Sequence, residues 1–126
     1  ANGGTLMKPY LLDRVVSAGE EEVKKFMPEA WGSLMTAQEA ADLTELMEAV
    51  VTVGTASALR TDAYQAAAKT GSAEFETGRE THAWFTGFAP AQDPKLVVTV
   101  LVEEAGTGGR AAAPIARQLF DIYLTR

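Results

Sequence analysis

The chain has no cysteine and only one histidine, His82, among its 126 residues. The first absence excludes disulfides, thiolate metal sites and thiol catalysis together, and it is compatible with an oxidising compartment. Basic residues are few. Eleven Lys and Arg stand against 17 Asp and Glu, giving a net charge of -6, and no Lys/Arg cluster able to neutralise a run of phosphates occurs. Nucleic acid is not an expected partner. Long apolar runs are missing as well: the longest, Leu96–Val102, falls far short of the roughly 18 residues a membrane helix needs. The opening Ala1-Asn2-Gly3-Gly4 has no basic region followed by an apolar run, so it does not read as a signal peptide. Asn-Gly-Gly is instead a helix-ending signal, which implies a helix upstream. Asn2 is the only asparagine, and none of Ser17, Ser33, Ser57 and Ser72 is followed three residues later by lysine.

What is present is ordinary for a globular chain, with 47% apolar and 22% charged residues, and the length suits one structural unit with one core. Pro9–Val16 is rich in strand formers, and Glu22–Phe26 resumes after Ser17-Ala18-Gly19-Glu20, a hairpin signal within residues 1–35. Thr36-Ala37-Gln38-Glu39 has the form of a capping box. Ala40, Leu43, Leu46, Met47, Val50 and Val51 follow at helical spacing, so a helix is predicted from Ala37 to Val53, closed by Gly54. Three strand-like segments occupy residues 64–104: Gln65–Phe75, Thr81–Ala89 and Lys95–Val102, with connections short enough for antiparallel neighbours. The last is apolar at both parities and needs cover on both faces. Gly106–Gly109 leads into a helix over 109–125, with Pro114 expected in its first turn and Ile115, Leu119, Ile122 and Tyr123 as its apolar stripe. The reading is an α+β chain: a hairpin, then a three-stranded antiparallel sheet with a helix on each face.

The chemically specific segment is Lys69-Thr70-Gly71-Ser72. On a strand, Thr70 and Ser72 share a parity, so their hydroxyls line one face beside an ammonium, a plausible seat for a carboxylate. Gly71 leaves room for a ligand against the backbone, and an acyl group docked along this edge can place its carbonyl oxygen on the Ser72 N–H, half of an oxyanion hole. The plain alternative is an exposed strand with a bulge at the glycine.

Lys-Thr-Gly on a strand is one of three elements of the penicillin-recognising serine enzymes, with Ser-x-x-Lys and Ser-x-Asn. The resemblance runs along nearly the whole chain. Ala1–Pro9 resembles a helix end and the following segment of class B penicillin-binding proteins, and Gly54-Thr55-Ala56 their short Gly-Thr motif. His82–Pro90 resembles the next strand and Gly109–Ala116 the start of the last helix. The likeness is to class B transpeptidases of the penicillin-binding protein A type. It implies a fragment of the penicillin-binding protein/serine β-lactamase-like fold whose parent is a peptidoglycan D,D-transpeptidase. Such a parent forms a serine acyl-enzyme with a D-Ala-D-Ala stem peptide, is acylated by β-lactams, and is anchored by an N-terminal helix with this domain outside the cytoplasmic membrane. It also implies a proton-handling and electrostatic role for Lys69, carboxylate binding by Thr70 and Ser72, and no metal or organic cofactor. Ala68 stands where many members have glycine, and Ser72 where threonine is commoner. The nucleophile and the Ser-x-Asn element are missing, so the chain reads as a piece of a longer protein and is expected to be inactive alone. The alternative is a non-catalytic sensor or scaffold of the same fold. The resemblance further implies that the missing N-terminal part pairs with Lys95–Val102; exposed, that edge is expected to drive homo-oligomerisation.

Other features carry less. His82, at the start of a strand and without a second histidine or any cysteine, reads as structural rather than as a metal ligand or base. Glu20, Glu21 and Glu22 read as a solvated hairpin tip, and Glu74, Glu76 and Glu80 have nothing to split their pKa values into a glycosidase pair. Gly106-Thr107-Gly108-Gly109 lacks P-loop spacing and is taken as a connection needing positive φ. Trp84, Phe85 and Phe88 read as core and interface.

Overall fold

The computed structural model describes residues 1–125. Its centre is a three-stranded antiparallel sheet in the order β5 (Ala67–Ala73), β6 (His82–Ala89), β7 (Leu96–Val102). Four shorter strands precede it: β1 (Thr5–Met7), β2 (Arg14–Val16), β3 (Glu22–Lys25) and β4 (Ala30–Ser33). The predicted hairpin is β2 with β3, although the strand formers Pro9–Asp13 lie outside it. Ser17 Oγ accepts from the Gly19 and Glu21 N–H groups, and Glu20 takes a positive φ at the solvated tip. A second ladder, β1 with β4, has no counterpart in the sequence reading. Both ladders lie largely in solvent, with Val15, Val23 and Trp31 exposed, so neither carries the alternation that burial imposes on a strand.

Helix α1 (Ala37–Thr52) starts where the capping box places it. The Glu39 N–H donates to Thr36 Oγ1 (3.2 Å), and the Thr36 N–H donates to Glu39 Oε2 (2.7 Å). That bond holds the Glu39 carboxyl below its ordinary range. A short 3₁₀ turn, Ser57–Leu59, then leads to the sheet.

The register across the sheet is unbroken from Ala67 to Ala73, so Gly71 is not a bulge. Partners stack by parity. Thr70, Phe85 and Val100 share one face, while Lys69, Thr86 and Thr99 share the other, where the Thr86 and Thr99 hydroxyls meet at 3.0 Å. Helix α2 (Gly108–Leu124) covers the first face. Its buried side is mostly alanine, with Ala112, Ala113 and Ala116 against Ala68, Ala83, Phe85 and Val98, and Phe120 closes the core. Small side chains let the helix approach the sheet closely, and burying Phe120 alone contributes about 2–3 kcal/mol. At the far end, Tyr64 Oη donates to Asp121 (2.7 Å) and Arg117 Nε bonds the same carboxylate (2.7 Å). Burial, and next the bond to Asp121, raise the Tyr64 phenol, and its donation lowers Asp121.

Two expectations about α2 are corrected. Pro114 lies in the interior of the helix, its seventh residue rather than in its first turn, because the helix begins at Gly108. Of the glycines before it, only Gly106 needs a positive φ, +77°. Gly108 and Gly109 are there for proximity: a Cβ on Gly108 would lie 2.0 Å from the Trp84 carbonyl oxygen, and one on Gly109 2.3 Å from that of Thr55. The opposite face is covered only at its β5 end, where Met47 of α1 packs on Ala67, Phe88 and Ala91. Trp84, Val97 and Leu101 remain exposed there.

Candidate acyl-transfer cleft

The strand β5 is an outer strand, and its free edge meets the N-terminus of α2. A cleft of about 610 Å³ lies between them. Lys69, Thr70, Gly71 and Ser72 all line it, so the structure brings the four residues singled out from the sequence into one place. Across from them stand Thr55, Ser57 and the first turn of α2 with Arg110. A groove of about 680 Å³ between α1 and the segment Leu59–Ala66 is larger, but it combines Glu45, Glu48 and Asp62 with apolar residues and has no comparable convergence of donors.

Each contributor has a local cause. Thr70 and Ser72 point toward the α2 side because the strand alternates, and β6 fixes which parity that is. Lys69 leaves the strand on the other parity and curls back over the edge, where Nζ donates to the Thr70 carbonyl. Gly71 is not required by packing, since a Cβ there would make an ordinary 3.4 Å contact with Trp84 Cβ. The Gly108–Gly109 pair sets the width of the cleft by letting α2 touch the β5 and β6 backbones. The loop before it is tied down by Thr81, whose Oγ1 donates to the Gly106 carbonyl (2.6 Å) and whose carbonyl accepts from Gly106 N–H (3.0 Å).

Thr55 belongs to the Gly54-Thr55-Ala56 motif and lies outside the Lys69–Ser72 segment. Its hydroxyl lies 2.6 Å from that of Thr70, fifteen residues later in the chain. Arg110 makes no ion pair among the described residues. No carboxylate lines the cleft. Two cationic side chains, the hydroxyls of Thr55, Ser57, Thr70 and Ser72, and the free N–H groups of a helix N-terminus therefore face one space, a field suited to an anion.

The remaining candidates sit elsewhere. His82 Nδ1 accepts from the Glu104 N–H (3.1 Å), and its ring stacks on Phe75 at 4.1 Å, a structural role. Arg79 joins Glu76 and Glu104, which lowers the Glu104 carboxyl and raises the guanidinium further. Phe85 and Phe88 are core, and Trp84 lies on the open face. Among the described residues no three of His, Asp and Glu are grouped to hold a metal, and no helix is long and apolar enough to cross a membrane.

The Lys69-Thr70-Gly71 strand on this fold resembles that of the penicillin-recognising transpeptidase class. The chain matches the penicillin binding protein transpeptidase domain family over residues 1–121 and belongs to it. It is 43% identical over 125 residues to the peptidoglycan D,D-transpeptidase PbpA of Mycolicibacterium smegmatis, covering 93% of this chain and 25% of that one. It is 39% identical over 132 residues to PbpA of Mycobacterium tuberculosis, covering 98% and 27%. Penicillin-binding protein A of M. tuberculosis, solved as a ceftriaxone acyl-enzyme complex, superposes with a TM-score of 0.87 at 37% identity over 95% of this chain and 28% of that chain. The chain thus spans about a quarter of the length of the curated relatives it matches.

Proposed function

We propose that the chain is the C-terminal portion of a peptidoglycan D,D-transpeptidase domain and forms one wall of its acyl-transfer cleft. The observation that carries this is the meeting of Lys69, Thr70 and Ser72 with Thr55 at the free edge of β5 in a cleft without carboxylates. Thr70 and Ser72 hold the carboxylate of a D-Ala-D-Ala stem peptide or of a β-lactam, with Thr55 fixing the Thr70 rotor. Lys69 supplies positive field and a route for the proton near the nucleophile. The Thr70 carbonyl is engaged at the outer edge by Lys69. Backbone groups alternate along a strand, so the Ser72 N–H also points outward. That N–H is half of the oxyanion hole. Gly71 keeps the strand low enough for the acyl chain to lie along it.

The serine nucleophile and the Ser-x-Asn element belong to the rest of the parent domain, and none of this chain's four serines has the Ser-x-x-Lys spacing. The parent works outside the cytoplasmic membrane, where its stem-peptide substrate is found. The test is labelling by a fluorescent penicillin, followed by intact-mass measurement. The full-length parent should gain one adduct, whereas the 126-residue chain should gain none. Stoichiometric labelling of the short chain would overturn the assignment of the nucleophile, and an unlabelled, folded parent would overturn the enzymatic reading.

A further inference from the structure

Helices α1 and α2 both begin after a threonine N-cap, Thr36 and Thr107, yet they carry opposite charges three residues further on. In α1 that residue is Glu39, whose carboxylate accepts from the Thr36 N–H and suits the positive end of a helix. In α2 it is Arg110. The first turn there holds no acidic residue, and the Thr107 side chain makes no capping bond. A cation at this position is opposed by the helix dipole and by the free N–H groups around it. Nothing local offsets that opposition, because Arg110 makes no ion pair among the described residues. A local rule broken without local compensation marks a functional position. We propose that Arg110 is the charge partner of the donor's carboxylate and makes the cleft selective for acyl donors that carry one, an inference that rests on the acyl-transfer reading of this cleft.

The placement of Arg110 fits that role. Side chains of a helix tilt toward its N-terminus, and the N-terminus of α2 lies beside β5, so Arg110 lines the cleft together with Thr55, Thr70 and Ser72. Thr70 and Ser72 turn their hydroxyls to this α2 side. Lys69 leaves β5 on the opposite parity, and its ammonium is engaged by the Thr70 carbonyl. Where a carboxylate meets the two hydroxyls, the cation on the same side is therefore Arg110. Its position is fixed by the two residues before it: Gly108 is held against the Trp84 and Gly71 backbone, and Gly109 against that of Thr55.

The chemistry divides accordingly. Hydroxyls donate to an ester carbonyl as well as to a carboxylate, so they do not by themselves select the charged form. A guanidinium does, because it offers paired N–H donors to two carboxylate oxygens and adds a full charge. On its other side Arg110 borders a pocket of about 570 Å³ with Glu80 and Glu104. Glu104 is taken by Arg79. That leaves Glu80 as the competing carboxylate among the residues lining these two spaces.

The experiment uses the full-length parent and two probes, benzylpenicillin and its methyl ester, with acylation followed by stopped flow and intact mass. The parent should be acylated faster by the acid than by the ester. Arg110→Gln should narrow that ratio roughly tenfold, slowing the acid and leaving the ester within about twofold, since one charge-assisted bond is lost. Arg110→Lys keeps the charge and should bring the ratio back to within about threefold of the parent sequence. Glu80→Gln should leave it within about twofold; if it mimics Arg110→Gln, the arginine serves a structural pair with Glu80 and the proposal fails. An unchanged ratio in Arg110→Gln overturns it too, as does equal slowing of both probes, which a merely structural arginine would produce. A folded parent that neither probe labels tells against the acyl-transfer reading itself, a result distinct from all of these; circular dichroism confirms that each variant is folded.

Discussion

The docking of α2 by glycine can be tested where two physical effects predict opposite signs. In Gly108→Ala, helix propensity favours alanine by up to about 1 kcal/mol. The structure says the reverse, because the new Cβ would lie 2.0 Å from the Trp84 carbonyl oxygen and 2.7 Å from that of Gly71. A carbon normally stays roughly 3.3 Å from such an oxygen, so the first contact is more than about 1 Å too close. Both obstacles are backbone inside a paired sheet and cannot rotate away. The first turn of α2 must lift, loosening the alanine face that packs on Phe85 and Val98. Overpacking of this kind costs about 3 kcal/mol or more, equivalent to a fall in Tm of roughly 10 °C for a chain this size. The control is Gly71→Ala, whose Cβ would meet Trp84 Cβ at an ordinary 3.4 Å, and which should change stability by less than about 1 kcal/mol. The assay is urea denaturation followed by far-UV circular dichroism, with thermal melts alongside. A Gly108→Ala variant as stable as the parent sequence, or more stable, would refute the claim that close approach dictates this glycine.

Three further outcomes are expected. In the full-length parent, Lys69→Ala should slow acylation by a β-lactam at least about tenfold, corresponding to roughly 1.4 kcal/mol of transition-state stabilisation; stopped-flow acylation with unchanged rates and an intact fold would remove Lys69 from its role. Thr36→Ala takes away the oxygen that accepts from the Glu39 N–H and should cost about 1 kcal/mol in denaturant unfolding, while Gln38→Ala on the same turn should cost little. Asp121 has its folded pKa lowered, by donation from Tyr64 first and Arg117 next. Its contribution is therefore fully present above the ordinary carboxylate pKa and is lost as pH falls through the depressed value. Stability measured from pH 6 down to pH 2 should fall less steeply in Asp121→Asn than in the parent sequence, and parallel curves would contradict the linkage.

How far the sequence disclosed this structure depended on the range of the forces involved. The start of α1 was legible to the residue because a capping box is made of bonds between positions three apart. The three central strands were legible because burial on β6 and β7 leaves its mark in composition, although each is shorter than its signal. The β1–β4 ladder left no mark, since three- and four-residue strands in solvent have no face to bury and their pairing spans more than twenty residues. Pro114 misled because proline usually marks a helix start, whereas the start of α2 is set by tertiary contact with the sheet. The same contact explains why Gly108 and Gly109 looked like turn glycines. At the site, Lys69–Ser72 could be found from a motif, but the approach of Thr55 to Thr70 exists only after β5 has folded against the 3₁₀ turn.

The two outer strands of the sheet have opposite chemistry, and among the described residues neither outer edge is paired. An unpaired strand edge offers N–H and C=O groups to any extended chain, so what it attracts depends on the side chains around it. Beside β5 these are Lys69, Thr70, Gly71 and Ser72 at its centre, with alanine the only apolar side chain of the strand. Such an edge gains little by pairing with an apolar strand, and its backbone stays available to a small polar acyl chain. Beside β7 they are Leu, Val and one Thr, flanked by one lysine and one glutamate, which favours a strand of like composition and resists a peptide that must keep its charge solvated.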